Sequence, residues 1–397
     1  MNTTNILDPE ICRRFRDAIN ESPIISNEMT DLYNLSCAVM DRLDTAVKYL
    51  NSNWEYPKTE EAFMCFFLFA CMLNDGVDNI YKKTLGGKPK CNIEKKHFGK
   101  FCKMEPLSFD DTEVPADEDF FEHLRSLVFA HPYGTDRKKS FKDKFGTQVS
   151  PWVVITNHTF EMYKIPEPIG VRLYASMKDA DGNDLHDIMV SFSAIKEFLV
   201  DKYSALDEVT AWIKTESEKI YTKWKEQKIN REQEPSDILR EICQILDFRH
   251  ESTYSIEEMI LYLETPLSDM RNKKYVEEYR QYLIDSIPRL CDCIECLDSS
   301  GQYEQERRID VFNPLGLHQM AHYELEKIFS YLIEKSKYVP IGSNEEWGLK
   351  MAKAFHDEFA SKWVFIDVNN MDYAEIKLLV LVALFMECKE QNRLEIR

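Results

Sequence analysis

The residues with the clearest chemical content lie together in Arg125-Ser126-Leu127-Val128-Phe129-Ala130-His131-Pro132-Tyr133. An Arg, five residues, a His, one residue and a Tyr close an apolar helical run. The residue before a proline is steered out of the α region, so His131 is expected where the helix stops, its ring turned toward solvent. Residues six apart on an ideal helix lie about 120° apart around the axis. Arg125 must therefore reach round, or the pair must act across two copies of the chain. The set suits phosphodiester cleavage. An imidazole titrating near neutrality can take a 2′-hydroxyl proton, and a guanidinium can hold the phosphate and stabilise developing charge. Tyr133 would position the phosphate or a base. The competing reading is structural: Arg125 pairs with the acids of Asp117–Glu122 and His131 caps a helix.

Two basic clusters flank this segment. Residues 82–103 carry eight lysines against the single acid Glu94, with Lys82, Lys83, Lys88, Lys90, Lys95 and Lys96 gathered around a Gly-Gly-Lys-Pro loop. Arg137, Lys138, Lys139, Lys142 and Lys144 follow Pro132. Clustered cations are what phosphate neutralisation needs, which makes these residues the candidate RNA contacts. Charge balance against the acidic run Glu105–Glu122 explains them equally well.

Other constellations carry less. His318-Gln319-Met320-Ala321-His322 has the spacing of a zinc-binding helix, but Gln319 stands where a catalytic Glu would be, and a surface or core-edge pair of histidines is the better reading. Cys291, Cys293 and Cys296 sit on a helical segment without a second cysteine pair at zinc-ribbon spacing. No phosphate-binding glycine loop, nucleophile elbow or dinucleotide fingerprint occurs. The expectation is no metal and no cofactor.

The elements that must position these residues are mostly helices. Leu32, Leu35, Val39, Leu43, Ala46, Val47 and Leu50 recur at three- and four-residue steps over Met29–Leu50. After Pro57, a more apolar helix runs from Thr59 through Phe63, Phe66, Phe67, Ala70 and Leu73, with the polar group Asn74, Asp75, Asp78 and Asn79 in its far half. Asp117 is expected to cap a third helix, Phe120 to about Ala130. Val149–Thr156, Ile169–Met177 and Asp187–Phe192 are rich in Val, Ile and aromatics, and Asp179-Ala180-Asp181-Gly182-Asn183 is a hairpin-turn signal. A small antiparallel meander is expected over about 149–192. A long helix follows, about Ser193–Gln227, then the polar Lys228–Pro235 as domain boundary. Helices are expected beyond it near 236–247, 255–264, 272–298, 315–337, 344–363 and 371–391.

The whole is therefore read as a mainly α protein: a helical bundle with a β insertion over 1–230, then an all-helical domain over 231–397. The length of 397 residues fits two cores better than one. With 44% hydrophobic residues the chain is expected to fold rather than remain disordered. A formal charge of −19 resists non-specific binding to nucleic acid or anionic membrane, so any polyanion must meet a local basic patch. No run approaches the roughly 20 apolar residues of a spanning helix, and the first residues lack signal-peptide character. Eleven cysteines, an odd number with several inside apolar helical runs, read as reduced thiols. A cytoplasmic protein without membrane association is expected.

The Arg125–His131–Tyr133 pattern at a helix end resembles the HEPN superfamily, helical bundles whose ribonuclease members carry an Arg, four to six residues, then a His, in some extended by one residue and a Tyr. The resemblance covers about 28–145 and the helix after 193, with the strands at 149–192 as an insertion. It implies a metal-independent endoribonuclease in which Arg125 and His131 are catalytic, Tyr133 supports them, and Asn74, Asp75 and Asp78 face the motif. It further implies a homodimer with paired motifs, RNA (tRNA among the candidates) as substrate, and a host-defence or toxin–antitoxin setting with an antitoxin or regulatory partner. The rival from another class is a non-catalytic helical scaffold that binds RNA or a protein.

Overall fold

The computed structural model describes residues 6–23, 30–55, 57–89, 97–104, 107–130, 141, 153–156, 170–173, 177–178, 184–185, 188–310, 322–333 and 344–391. The chain divides into two compact units, Met1–Lys219 and Ile220–Arg397, and is mainly helical.

In the first unit, helix α1 (Pro9–Asn20) opens with Asp8 accepting from the Glu10 backbone N–H and proline at its start, both favourable at an N-terminus. Helices α2 (Thr30–Ser52) and α3 (Glu60–Thr84) pack along one another, and α1 lies on α2. Thr59 caps α3 by accepting from Ala62 N at 3.2 Å. On length and composition α3 could also cross a membrane, but half of its most apolar stretch is buried within the unit. Its buried residues Phe63, Phe66, Phe67, Ala70 and Leu73 make it a core element, and polar Asn74 is buried with them.

Helix α4 (Gly99–Cys102) is a single turn, and α5 (Asp117–Arg125) continues into a π-helical turn, Ser126–Ala130. Asp117 is not the cap. It is the first helical residue, and its carboxylate accepts from the backbone N–H groups of His97 and Phe98, each at 3.0 Å. Ala116 stands at the cap position, so this acid ties two segments together instead of closing its own helix end. A chain of phenyl rings then fixes α5 against its neighbours: Phe67 to Phe121 at 4.9 Å, Phe121 to Phe198 at 4.9 Å, Phe98 to Phe120 at 5.0 Å. Each fully buried Phe contributes about 1.5–3 kcal/mol of burial free energy, ample to hold these elements in register.

The strands do not form one meander. Strands β1 (Val153–Thr156), β2 (Gly170–Leu173) and β5 (Ile188–Ser191) make an antiparallel sheet in that order, with Ile155 opposite Val171 and Val171 opposite Val190. The two-residue strands β3 (Met177–Lys178) and β4 (Asp184–Leu185) pair only with each other. The turn signal at 179–183 lies between them and outside the described residues. The expected long helix is two, α6 (Phe192–Ser204) and α7 (Leu206–Glu226). The Ser204 hydroxyl donates to the Asp201 carbonyl at 2.7 Å, a side-chain bond that competes with helix continuation, and the helix is interrupted at Ala205.

In the second unit the described residues are all helices and connecting turns: α8 (Pro235–Phe248), α9 (Tyr254–Glu264), α10 (Lys273–Ile284), α11 (Ile287–Cys296), α12 (Ser299–Glu306), α13 (His322–Tyr331), α14 (Glu345–Glu358) and α15 (Tyr373–Glu390). The single helix expected over 272–298 is split, because Pro288 begins a new one in the first turn of α11. Helix α15 is buried nearly all round, from Ile376 through Leu378–Met386, as a helix apolar on every face must be.

The unit boundary falls inside α7 and not at Lys228–Pro235. That polar stretch is anchored rather than loose: Ile229 is buried in the second core, its N–H donates to Glu295 at 3.0 Å, and Arg231 pairs with Asp292 at 2.8 Å.

Candidate functional site

The far half of α3 presents Asn74, Asp75 and Asp78, spaced to lie on adjacent turns. Helix α5 presents Glu118, Glu122 and Arg125 at four- and three-residue steps, hence on one face. Helix α6 adds Lys202. These side chains converge in one polar network within an otherwise aromatic core. Arg125 Nη1 donates to Asp75 at 3.1 and 3.3 Å and to Glu122 at 3.2 Å. Deeper in, Glu118 accepts from Asn74 Nδ2 at 3.0 Å and from Lys202 Nζ at 3.0 Å, and Lys202 also pairs with Asp78.

Burial grades along the network. The Lys202 side chain is wholly buried and Glu118 nearly so, whereas the Arg125 side chain is 33% exposed, so the Arg125 end opens toward solvent. Burial pushes the Asp75 carboxyl above its ordinary range, against the lowering pull of Arg125 and with Glu122 adding to the rise. Glu118 is raised by burial in the same way, opposed by Lys202 and reinforced by Asp78. For Arg125, burial works against the charge, yet Asp75 and Glu122 hold its pKa above the usual guanidinium value. Arg125 therefore stays a cation. Among the described residues the buried Asn74 Oδ1 has no hydrogen-bond partner.

The guanidinium has a definite orientation. Both acids hold Nη1, and among the described residues none bonds Nε or Nη2. The Nε–Nη2 edge is the fork that fits a phosphate or carboxylate with two parallel hydrogen bonds.

Of the residues singled out in the sequence, the structure joins Arg125 to Asp75, and places Asn74 on Glu118 and Asp78 on Lys202. His131, Tyr133, Lys90, Lys95, Lys96, Arg137, Lys138, Lys139, Lys142 and Lys144 lie outside the described residues. Lys82, Lys83 and Lys88 are exposed. Lys82 and Lys83 occupy the last turn of α3, where cations suit the helix dipole, and Lys83 lies 3.9 Å from Asp31. His318 lies outside the described residues and His322 begins α13. Cys291 and Cys293 are buried and Cys296 is exposed, all as free thiols. Among the described residues no group of three or more His, Cys, Asp or Glu is arranged to hold a metal.

Sequence reading missed Glu118 and Lys202 as members of the network, and it missed His97, whose Nε2 lies 2.8 Å from Asp201 and Nδ1 3.6 Å from Glu197. The only sequence signal for the first two was the polar group on apolar α3, since buried polar atoms require partners. No protein-family model, curated protein or solved structure matches the chain.

Proposed function

We propose that the first unit is a metal-independent endoribonuclease in which Arg125 holds the scissile phosphate and His131 moves the proton. The observation that carries this reading is that, among the described residues, Arg125 is clamped through Nη1 alone, which leaves its Nε–Nη2 fork for a phosphate. A cation fixed before substrate arrives needs little reorganisation when charge develops on the phosphorane oxygens. His131, six residues on, would take the 2′-hydroxyl proton. The 2′-oxygen attacks phosphorus, the bond to the 5′-oxygen breaks, and that oxygen leaves with a proton from water, giving a 2′,3′-cyclic phosphate. Tyr133 would steady the phosphate or a base. Lys82 lies seven residues, about two turns, beyond Asp75 on the same helix, which suits it to a flanking phosphate. Lys83 and Lys88, with Lys90, Lys95, Lys96 and the 137–144 cluster, extend the proposed RNA contact. A cytoplasmic homodimer acting on RNA, tRNA included, and held by an antitoxin or regulatory protein completes the proposal.

One observation favours the rival scaffold reading. Asp75 and Glu122 together outweigh the single positive charge of Arg125, so an approaching phosphate meets a negative surround. In that reading the network is a staple between α3, α5 and α6 and no RNA is cut. Purified protein incubated with total tRNA and with a long single strand in EDTA separates the two. Cutting by wild type and not by His131→Ala supports the nuclease. No cutting by either, with the protein dimeric and concentrated, supports the scaffold. Equal cutting by both removes His131 from the site.

A further inference from the structure

The second unit contains a cavity of about 230 Å³ between α9, α12 and α13. We infer that this cavity binds a compact organic cation, an ammonium or guanidinium group, between aromatic rings and the carboxylates of Glu258 and Glu306, which make no salt bridge among the described residues. This goes beyond the RNA reading and stands apart from it, since every residue involved belongs to the other unit.

The lining follows from helical spacing. Tyr254, Glu258 and Tyr262 recur every four residues along one face of α9, and Tyr303 and Glu306 stand three apart on α12, with Phe329 contributed by α13. Tyr262 is fully buried and forms the floor, while Tyr254 and Tyr303 are 67% and 54% exposed and form the rim. Large exposed aromatics beside a cavity place π faces where a ligand would enter.

The carboxylates define the charge of that ligand. Glu258 accepts from the Tyr262 hydroxyl, and Glu306 accepts from Gln302 Nε2 at 2.8 Å. Both donors are neutral, and neither acid makes a salt bridge among the described residues. Asp310, a third carboxylate, and Arg307 also line the cavity, and both, like Tyr303, have interactions of their own. Two carboxylates facing a partly enclosed aromatic space repel one another and attract a cation more strongly than they would in open water, and ring faces attract the same charge through their quadrupoles. The volume sets the size. Pockets for drug-sized ligands run to about 300–1,000 Å³, so this one fits a single cationic head group rather than a cofactor.

The test titrates the full chain by calorimetry with methylguanidinium chloride, tetramethylammonium chloride and a blocked peptide bearing one arginine, with sodium phosphate as the opposite charge. Saturable binding of a cation is expected, weakened about tenfold by Tyr303→Ala and by Glu306→Gln and weakened by added salt. Tyr303 is exposed and Glu306 half-buried, and unchanged thermal melts check that the variants keep the fold. Tighter binding of the peptide than of methylguanidinium assigns the cation to a partner protein's side chain. The reverse assigns it to a free small molecule. No saturable binding of any cation, binding that both variants leave unchanged, or binding of phosphate in place of the cations overturns the inference.

Discussion

Asp75 and Arg125, fifty residues apart in the chain, meet through a single guanidinium nitrogen at 3.1 Å. The contact ties the polar half of α3 to the last residue of α5, and it predicts a separation of stability from activity. The Asp75 side chain is 42% exposed, so screening keeps the stability lost in Asp75→Asn at about 1 kcal/mol or less. Under the nuclease reading the same change lets the guanidinium swing, and a misplacement of about 1 Å costs on the order of a hundredfold in rate. Thermal melts and cleavage rates measured on the same preparation should therefore diverge. A variant that melts and cuts like wild type would show that the pair positions nothing.

Lys202 makes a different prediction because it is wholly buried. In Lys202→Met, Glu118 keeps a buried charge with Asn74 donating to it and the Asp78 carboxylate nearby, and breaking a buried pair from one side costs about 3–5 kcal/mol. Lys202→Met with Glu118→Gln should recover the part of that loss that comes from the buried Glu118 charge, leaving only the partly exposed Asp78 without Lys202. Urea denaturation of the single and double variants reads this directly. Equal destabilisation of both would mean that lost packing, not charge, dominates.

How far the sequence foretold this depends on how local each cause is. The stripe Leu32–Leu43–Val47–Leu50 is a local pattern, and it produced α2 where expected. The polar group Asn74–Asp75–Asp78 on an apolar helix was visible as something that must find partners, and Arg125 could be nominated as one. Glu118 and Lys202 could not, because their meeting depends on how α5 and α6 pack on α3 and leaves no spacing signature. Asp117 shows the limit most clearly: a good capping residue by type and position, it bonds instead to backbone twenty residues earlier. Pro288 was legible, and reading a continuous helix through it ignored a residue that belongs in a first turn.

The raised carboxyls set a pH dependence. A carboxyl whose pKa is higher in the folded state binds more protons folded than unfolded, so its ionisation opposes folding. That opposition is absent below the unfolded value of about 4.3 for Glu, grows as pH climbs through the raised folded value, and stays constant above it. Burial raises Glu118 in this sense. Wild type should therefore gain stability relative to Glu118→Gln as pH falls from 7.5 toward 4, on top of a constant offset from the lost hydrogen bonds. Urea midpoints of the two proteins across that range test the slope. A difference that does not vary with pH would mean that Glu118 is not raised in the folded state.

Arg249 tests the placement of the unit boundary. Its buried guanidinium donates to the Ile294 carbonyl at 2.9 Å, to the Trp224 carbonyl at 3.1 Å and to Gln227 at 3.2 and 3.1 Å, and it lies 5.4 Å from the centre of the Trp224 ring. If residues 224–229 were a loose linker, these bonds would contribute little and Arg249→Met would be close to neutral. With the segment packed into the second core, the variant removes the charged donor from carbonyls that keep only the backbone N–H groups of Gln227 and Leu297, at about 1.5–3 kcal/mol for each lost bond to the guanidinium. The second unit should unfold at lower urea, and amide exchange should quicken across 224–229 before it does elsewhere in that unit. Unchanged exchange there would return the boundary to the polar stretch at 228–235.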